Sequence, residues 1–187
     1  MNCLILTHGA GSNRNAPLLV AVANAFAAIG TEVLRYDLPF RQERPHGPPR
    51  PGDASRDREG LREQIFRARE KRPDHIWLGG HSYGGRQASI LAAETAGLAD
   101  ALLLMSYPLH PPGKPQQLRT AHFAQWTSPA LFVHGAKDPF GSIDEMQAAL
   151  RSIPAPTRLL IVEGAGHDLG RRHAELASQI VEAFTQL

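Results

Sequence analysis

Apolar residues along this chain gather in short unbroken blocks, and between the blocks they recur every three or four positions among polar neighbours. An unbroken block suits a strand buried on both faces, as in a parallel sheet, whereas the wider recurrence suits a helix with one buried stripe. The blocks predict strands over residues 2–7, 31–36, 75–78, 100–105, 129–135 and 158–162. The periodic stretches predict a first helix capped by Asn15, with Pro17 in its first turn and Gly30 at its stop. Further helices are predicted over 53–72, 86–96, 142–151 and 171–184, the first of these with Leu61, Ile65 and Phe66 on its inner face.

Strands and helices alternate without repeats or a separating linker, which is the pattern of βαβ units. The expectation is a three-layer α/β/α sandwich with a mostly parallel sheet of about six strands. Its functional loops should leave the carboxyl ends of those strands. With 187 residues the chain is one domain, residues 1–187, and has no length for a separate cap domain. Two segments lack strand or helix signals: 38–52, rich in Pro and Arg, and 107–117, with His110, Pro111, Pro112 and Lys114. Proline limits their freedom without a core of their own, and both leave the edge where the functional loops gather, so they are candidate specificity walls. If their basic residues hold substrate, Arg41 and Arg44 first among them, an anionic acyl or leaving group is implied.

Composition narrows the function classes. A net charge of +2, with 20 basic residues set against 18 acids, makes no case for a nucleic-acid partner. The single Cys excludes an intrachain disulfide, and Cys3 within the first strand reads as a small buried apolar residue. The N-terminus lacks a basic targeting region, and apolar runs such as 101–105 fall well short of the roughly 20 residues a membrane span needs. A cytoplasmic protein with no membrane partner is the expectation; oligomeric state has no signal.

The densest chemistry lies at Gly79-Gly80-His81-Ser82-Tyr83-Gly84-Gly85, between a predicted strand and a predicted helix. A serine hydroxyl is a weak nucleophile and needs a base and an anion site beside it. The Gly-x-Ser-x-Gly elbow lifts Ser82 onto a strained turn, with Gly80 and Gly84 small where strand and helix backbones meet. It aims the Tyr83 N–H at a developing oxyanion, near the positive end of the helix. An acid and then a histidine should follow, each after a strand. Asp138 in Ala136-Lys137-Asp138-Pro139-Phe140-Gly141 and His167 in Gly164-Ala165-Gly166-His167-Asp168 meet that requirement. Ser82 is then the candidate nucleophile, His167 the base and Asp138 the orienting acid. The second oxyanion N–H should come from the loop after the first strand, with Ala10 preferred and Gly11 the fallback.

These segments together resemble a known family. His-Gly-Ala-Gly at residue 8, Asp-Leu-Pro-Phe at 37, Gly-Gly-Arg at 84, Tyr-Pro-Leu-His-Pro-Pro-Gly-Lys-Pro at 107, His-Gly-Ala-Lys-Asp-Pro-Phe-Gly at 134 and Gly-Ala-Gly-His-Asp-Leu at 164 are similar to a lidless α/β-hydrolase branch near dienelactone-hydrolase-like proteins. The same subfamily includes the hydrolase-like domain of a nonspecific-lethal chromatin complex subunit. The match runs from His8 to His167, and His81 stands where relatives often carry lysine.

Rival readings are weighed on the residues. Asp168 adjoins His167 and would have to fold back sharply to reach its ring, and Asp37 reads as a turn cap. Arg86 reads as a structural ion-pair partner. His8 and His134 each precede a glycine at a strand end and read as loop-stabilising, His81 should point away from the nucleophile, and His173 reads as solvated. None of the nine histidines stands in a metal-ligand spacing, and the Gly-rich segments match no nucleotide motif, so neither metal nor cofactor is expected. The expected activity is serine hydrolysis of a small carboxylic ester or thioester through an acyl-serine intermediate, with a small-molecule acyl substrate as partner. A non-catalytic interaction module on the same fold, and an acyltransferase or perhydrolase using the same three residues, are the alternatives.

Overall fold

In the computed structural model, which describes residues 1–187, strands alternate with helices along almost the whole chain. The strands are β1 (Cys3–Thr7), β2 (Glu32–Tyr36), β3 (Ile76–His81), β4 (Ala101–Met105), β5 (Ala130–Gly135) and β6 (Thr157–Val162). The helices are α1 (Pro17–Ala28), α2 (Pro39–Glu43), α3 (Asp53–Glu70), α4 (Tyr83–Glu94), α5 (Ile143–Leu150) and α6 (His173–Phe184), with one 3₁₀ turn at Phe123–Gln125. The sheet runs β2-β1-β3-β4-β5-β6, and every neighbouring pair is parallel.

Side chains of a strand alternate between faces, and in the central strands β1, β4 and β5 both faces are buried. Leu4, Leu6, Leu103, Met105, Leu131 and Val133 meet α1 and α6 on one side. Ile5, Leu78, Leu102, Leu104 and Phe132 meet α3, α4 and α5 on the other. This is why the strands read as unbroken apolar blocks. Phe26, Trp77 and Phe184 close the first core in edge-to-face contact, with centroids 5.0–6.0 Å apart.

Four local expectations are corrected. The residue before α1 is Ala16, with no side-chain cap, and the Asn15 side-chain oxygen instead accepts from Arg35 Nη1 at 3.1 Å. Phe66 is 51% exposed, and the inner stripe of α3 runs through Asp57, Leu61 and Ile65, one turn apart each. Segment 38–52 contains α2, started by Pro39 at the helix position that tolerates a missing N–H. β3 extends to His81 and α4 begins at Tyr83, so the strand-to-helix reversal occupies the single residue Ser82. No helix is long and apolar enough to cross a membrane.

The topology opens a crevice at one place. The chain leaves β1 for β2 on one side and returns to β3 on the other, and α1 and α4 cover opposite faces. The exits of β1 and β3 therefore diverge, as at the ligand-binding switch point of open α/β sheets. Gly84 allows their close approach: a Cβ there would lie 2.5 Å from the His8 carbonyl oxygen, to which the Gly84 N–H donates at 3.1 Å.

Candidate active site

Ser82 sits at the crevice with φ 50° and ψ −115°, a backbone region that costs a non-glycine residue about 1–3 kcal/mol. Two bonds brace it: its N–H donates to Met105 at 2.8 Å and its carbonyl accepts from Arg86 N–H at 2.9 Å. The loop after β5 supplies Asp138 and the loop after β6 supplies His167. A main-chain bond from Lys137 N–H to the Ala165 carbonyl, 2.8 Å, ties the two loops together.

The structure brings Ser82, His167 and Asp138 into one chain of hydrogen bonds. The Ser82 hydroxyl lies 2.8 Å from His167 Nε2, and His167 Nδ1 lies 2.8 and 3.0 Å from the two Asp138 oxygens. A nitrogen facing a carboxylate carries the proton, so Nδ1–H donates to Asp138 and Nε2 accepts from serine. The Asp138 side chain is fully buried and also accepts the Phe140 N–H at 2.9 Å, which fixes its orientation. The Phe140 ring stacks on the imidazole, with centroids 4.2 Å apart and planes inclined by 29°. His81 turns from Ser82 into a different cavity, where its Nε2–H donates to the His167 carbonyl at 2.9 Å. It thereby anchors the backbone of the candidate base, a role its strand position did not announce. Asp168 and Asp37 are spent elsewhere, accepting the N–H groups of Gly170 at 3.1 Å and Arg14 at 2.6 Å.

Ala10 and Tyr83 line one cleft of about 370 Å³ with Ser82. Tyr83 is the first residue of α4, so its N–H has no carbonyl one turn back within the helix. The Ala10 peptide is held from outside. Leu38 N–H donates to His8 Nε2 at 3.1 Å, which puts the His8 proton on Nδ1, and Nδ1–H donates to the Gly9 carbonyl at 2.8 Å. Fixing the Gly9 carbonyl on one side sends the Ala10 N–H to the other, because the two are antiparallel in a trans peptide. Burial lowers the His8 pKa and keeps the ring neutral in this role.

Two further residues support this wall. Asp57, fully buried on α3, accepts the Tyr83 hydroxyl at 2.7 Å and the Phe40 N–H at 3.0 Å, and burial raises its pKa. Of two readings of segment 38–52, substrate wall and structural closure, Arg41 favours closure: its guanidinium donates to the carbonyls of Ala10, Ser12, Arg44 and Gly47 at 2.8–3.2 Å. Arg44 is likewise withdrawn, paired with Asp53 at 2.5 Å. Charge reversal at either would break a loop rather than report on substrate. Arg86 corrects the opposite expectation: it makes no ion pair and lines the Ser82 cleft.

Behind α4, His122 Nε2–H donates to Ser89 at 2.8 Å. Burial, followed by the positive charges of Arg86 and Arg58, lowers the His122 pKa to about 4. The folded protein thus holds His122 neutral, while the unfolded chain takes up its proton near 6.5. Stability contributed by the neutral ring is complete above pH 6.5 and is lost as pH falls toward 4. Urea titrations of His122→Gln should therefore show a shallower loss of stability over that window than wild type. His8 and His81, also lowered by burial, keep the slope above zero. Equal slopes would contradict the assignment.

Residues 1–184 match the family described as Alpha/beta hydrolase domain. Est1E from Butyrivibrio proteoclasticus, solved with ferulic acid bound, is 17% identical with a TM-score of 0.82, over 100% of this chain and 89% of that one. Dienelactone hydrolase from Anabaena variabilis is 23% identical with a TM-score of 0.76, over 100% and 86%. A lidless a/b serine hydrolase from Xanthomonas campestris is 16% identical with a TM-score of 0.75, over 98% and 81%. At these identities the likeness is one of fold, and it extends over nearly the whole of each partner. By its matched length, its parallel sheet and the absence of a cap, this chain belongs to the α/β-hydrolase family, in the lidless form of the fold.

Proposed function

We propose that this protein is a cofactor-independent serine hydrolase that cleaves a small carboxylic ester or thioester in the cytoplasm. One observation carries the reading: an unbroken hydrogen-bonded chain from Asp138 through His167 to Ser82 Oγ, with 2.8 Å at each link. That chain opens at a cleft where Ala10 and Tyr83 flank the hydroxyl.

Each step follows from these positions. Ser82 Oγ attacks the acyl carbon while its proton passes to His167 Nε2, and Asp138 stabilises the imidazolium that forms. Negative charge develops on the former carbonyl oxygen and is met by the Ala10 and Tyr83 N–H groups. Collapse of the tetrahedral intermediate breaks the bond to the leaving oxygen or sulfur, which takes the proton from Nε2 and leaves acyl-Ser82. Water then attacks, giving a proton to Nε2 in its turn, and the carboxylic acid product departs as that proton returns to Ser82 Oγ; the acid then ionises in solvent. Stacking by Phe140 and the bond from His81 to the His167 backbone hold the ring still through both transfers. Est1E, of the same fold, holds ferulic acid, a carboxylic acid of the kind ester cleavage releases.

With no cap over an open cleft of about 370 Å³, short acyl groups fit better than long ones. A fluorophosphonate probe should label the wild-type protein and not Ser82→Ala, and aryl acetate or butyrate should be turned over faster than long-chain esters. Absence of labelling would remove the hydrolase reading and favour an interaction module; faster cleavage of long-chain esters would remove the size preference alone.

A further inference from the structure

The wall of the Ser82 cleft holds two cations that the reaction just described does not use. Arg86 lies one turn along α4 from Ser82, and Arg119 comes from the long connection between β4 and β5; both line the cleft beside Pro108 and Phe140. Other partly buried arginines of this protein find acceptors: Arg44, Arg58 and Arg62 each reach a carboxylate, and Arg41 reaches backbone carbonyls. Arg86 and Arg119 reach none, and no acidic residue lines the cleft. Arg86 Nε is buried with no partner at all. The groups around them are neutral: Tyr107 is buried and spends its hydroxyl on the Arg119 carbonyl at 2.6 Å, and His122 is held neutral.

Two guanidiniums of like charge in a partly desolvated wall repel each other and have no carboxylate to answer them, so the arrangement costs free energy in the empty protein. Burial and the neighbouring Arg86 charge both push the Arg119 pKa below its ordinary value. An anion between them would satisfy both at once, through the paired N–H geometry that guanidinium offers to a carboxylate or phosphate. Resting on the hydrolase reading above, we propose that Arg86 and Arg119 form an anion subsite, and that the preferred substrate is an ester or thioester bearing a carboxylate or phosphate within a few atoms of its scissile carbonyl. The open cleft leaves the anion free to lie on the acyl or the leaving side; the shared requirement is a negative charge beside Ser82.

The test compares charged and uncharged esters of matched size. On the acyl side the pair is the mono-p-nitrophenyl ester of glutarate and p-nitrophenyl valerate; on the leaving side it is the acetate ester of 4-hydroxybenzoate and phenyl acetate, corrected for leaving-group reactivity by the rates in buffer. Wild type should favour the charged member of at least one pair by about 10- to 100-fold in kcat/KM, the range set by charged hydrogen bonds. In Arg86→Gln/Arg119→Gln that ratio should fall to near one, and Arg119→Gln alone, in a loop, serves if the double variant does not fold. Equal rates on both pairs, or a preference that survives in the variants, would overturn the subsite while leaving the hydrolase reading intact. Calorimetric titration of monomethyl glutarate into Ser82→Ala supplies a readout that needs no turnover. Saturable binding that the arginine variants lose supports the subsite; no binding overturns it, even if fluorophosphonate labelling shows an active serine.

Discussion

Ser82→Ala is expected to lower kcat/KM for a short aryl ester by about 10,000-fold or more, without lowering thermal stability. The hydroxyl makes one bond within the protein, to His167 Nε2, so its removal leaves the fold untouched. His167→Ala should lose a comparable factor, and the double variant should lose no more than either alone, because the two residues act as one unit. Asp138→Asn tests a different property. An asparagine amide in that place can donate to Nδ1, which would move the ring proton to Nε2 and remove the acceptor that Ser82 needs. A fall of about 10,000-fold in kcat, with the fold preserved, is the expected result. Losses that add in the Ser82/His167 double variant would show that the two do not work together, and a fully active Asp138→Asn would assign orientation of the ring to Phe140 and His81 instead.

Gly135→Ala should be severely damaging although Gly135 is none of those three residues. An added Cβ at the end of β5 would lie 2.3 Å from the Gly166 carbonyl oxygen and 2.6 Å from that of Ala165. Both are backbone atoms of the loop that carries His167, so neither can rotate aside. The loop must move, and the base with it. Displacement of a reacting group by about 1 Å costs on the order of 100-fold in rate, and overpacking of this kind costs about 1–3 kcal/mol in stability. Gly166→Ala is the control, since a Cβ there meets only the Lys137 carbonyl at 3.8 Å. Kinetics and thermal melts of the pair should show the larger loss at Gly135, which is distant in sequence, than at the residue adjoining the base. The reverse order would mean that conformational freedom of the loop, rather than its seating on β5, positions His167.

The sheet was legible because burial on both faces writes a strand as an unbroken apolar run, and the three residues nominated from the loops after β3, β5 and β6 come to lie in one hydrogen-bonded chain. What escaped were polar residues whose partners lie far off in sequence, many of them backbone. Arg41 has the look of a surface cation, yet four carbonyl oxygens claim it, and carbonyls leave no mark in a sequence. Asp57 has the look of one more charge on a helix full of them, yet it is fully buried while Phe66, the more apolar residue, faces solvent. Its stripe spacing with Leu61 and Ile65 was available as a signal, and an acid at an inner position usually marks a donor waiting on another element. Here that donor is Tyr83, the candidate oxyanion residue.

His167 is carried into the site by the edge of the sheet. β6 pairs with β5 alone, and 85 residues separate His167 from Ser82. The turn that presents Ser82 needs only β1, β3, β4 and α4, which occur earlier in the chain. During synthesis, or in a molecule whose edge has peeled open, the hydroxyl is therefore already displayed while its proton acceptor is missing. On the proposed hydrolase reading such a molecule is inert toward acyl groups instead of indiscriminate, and turnover becomes a census of fully assembled molecules.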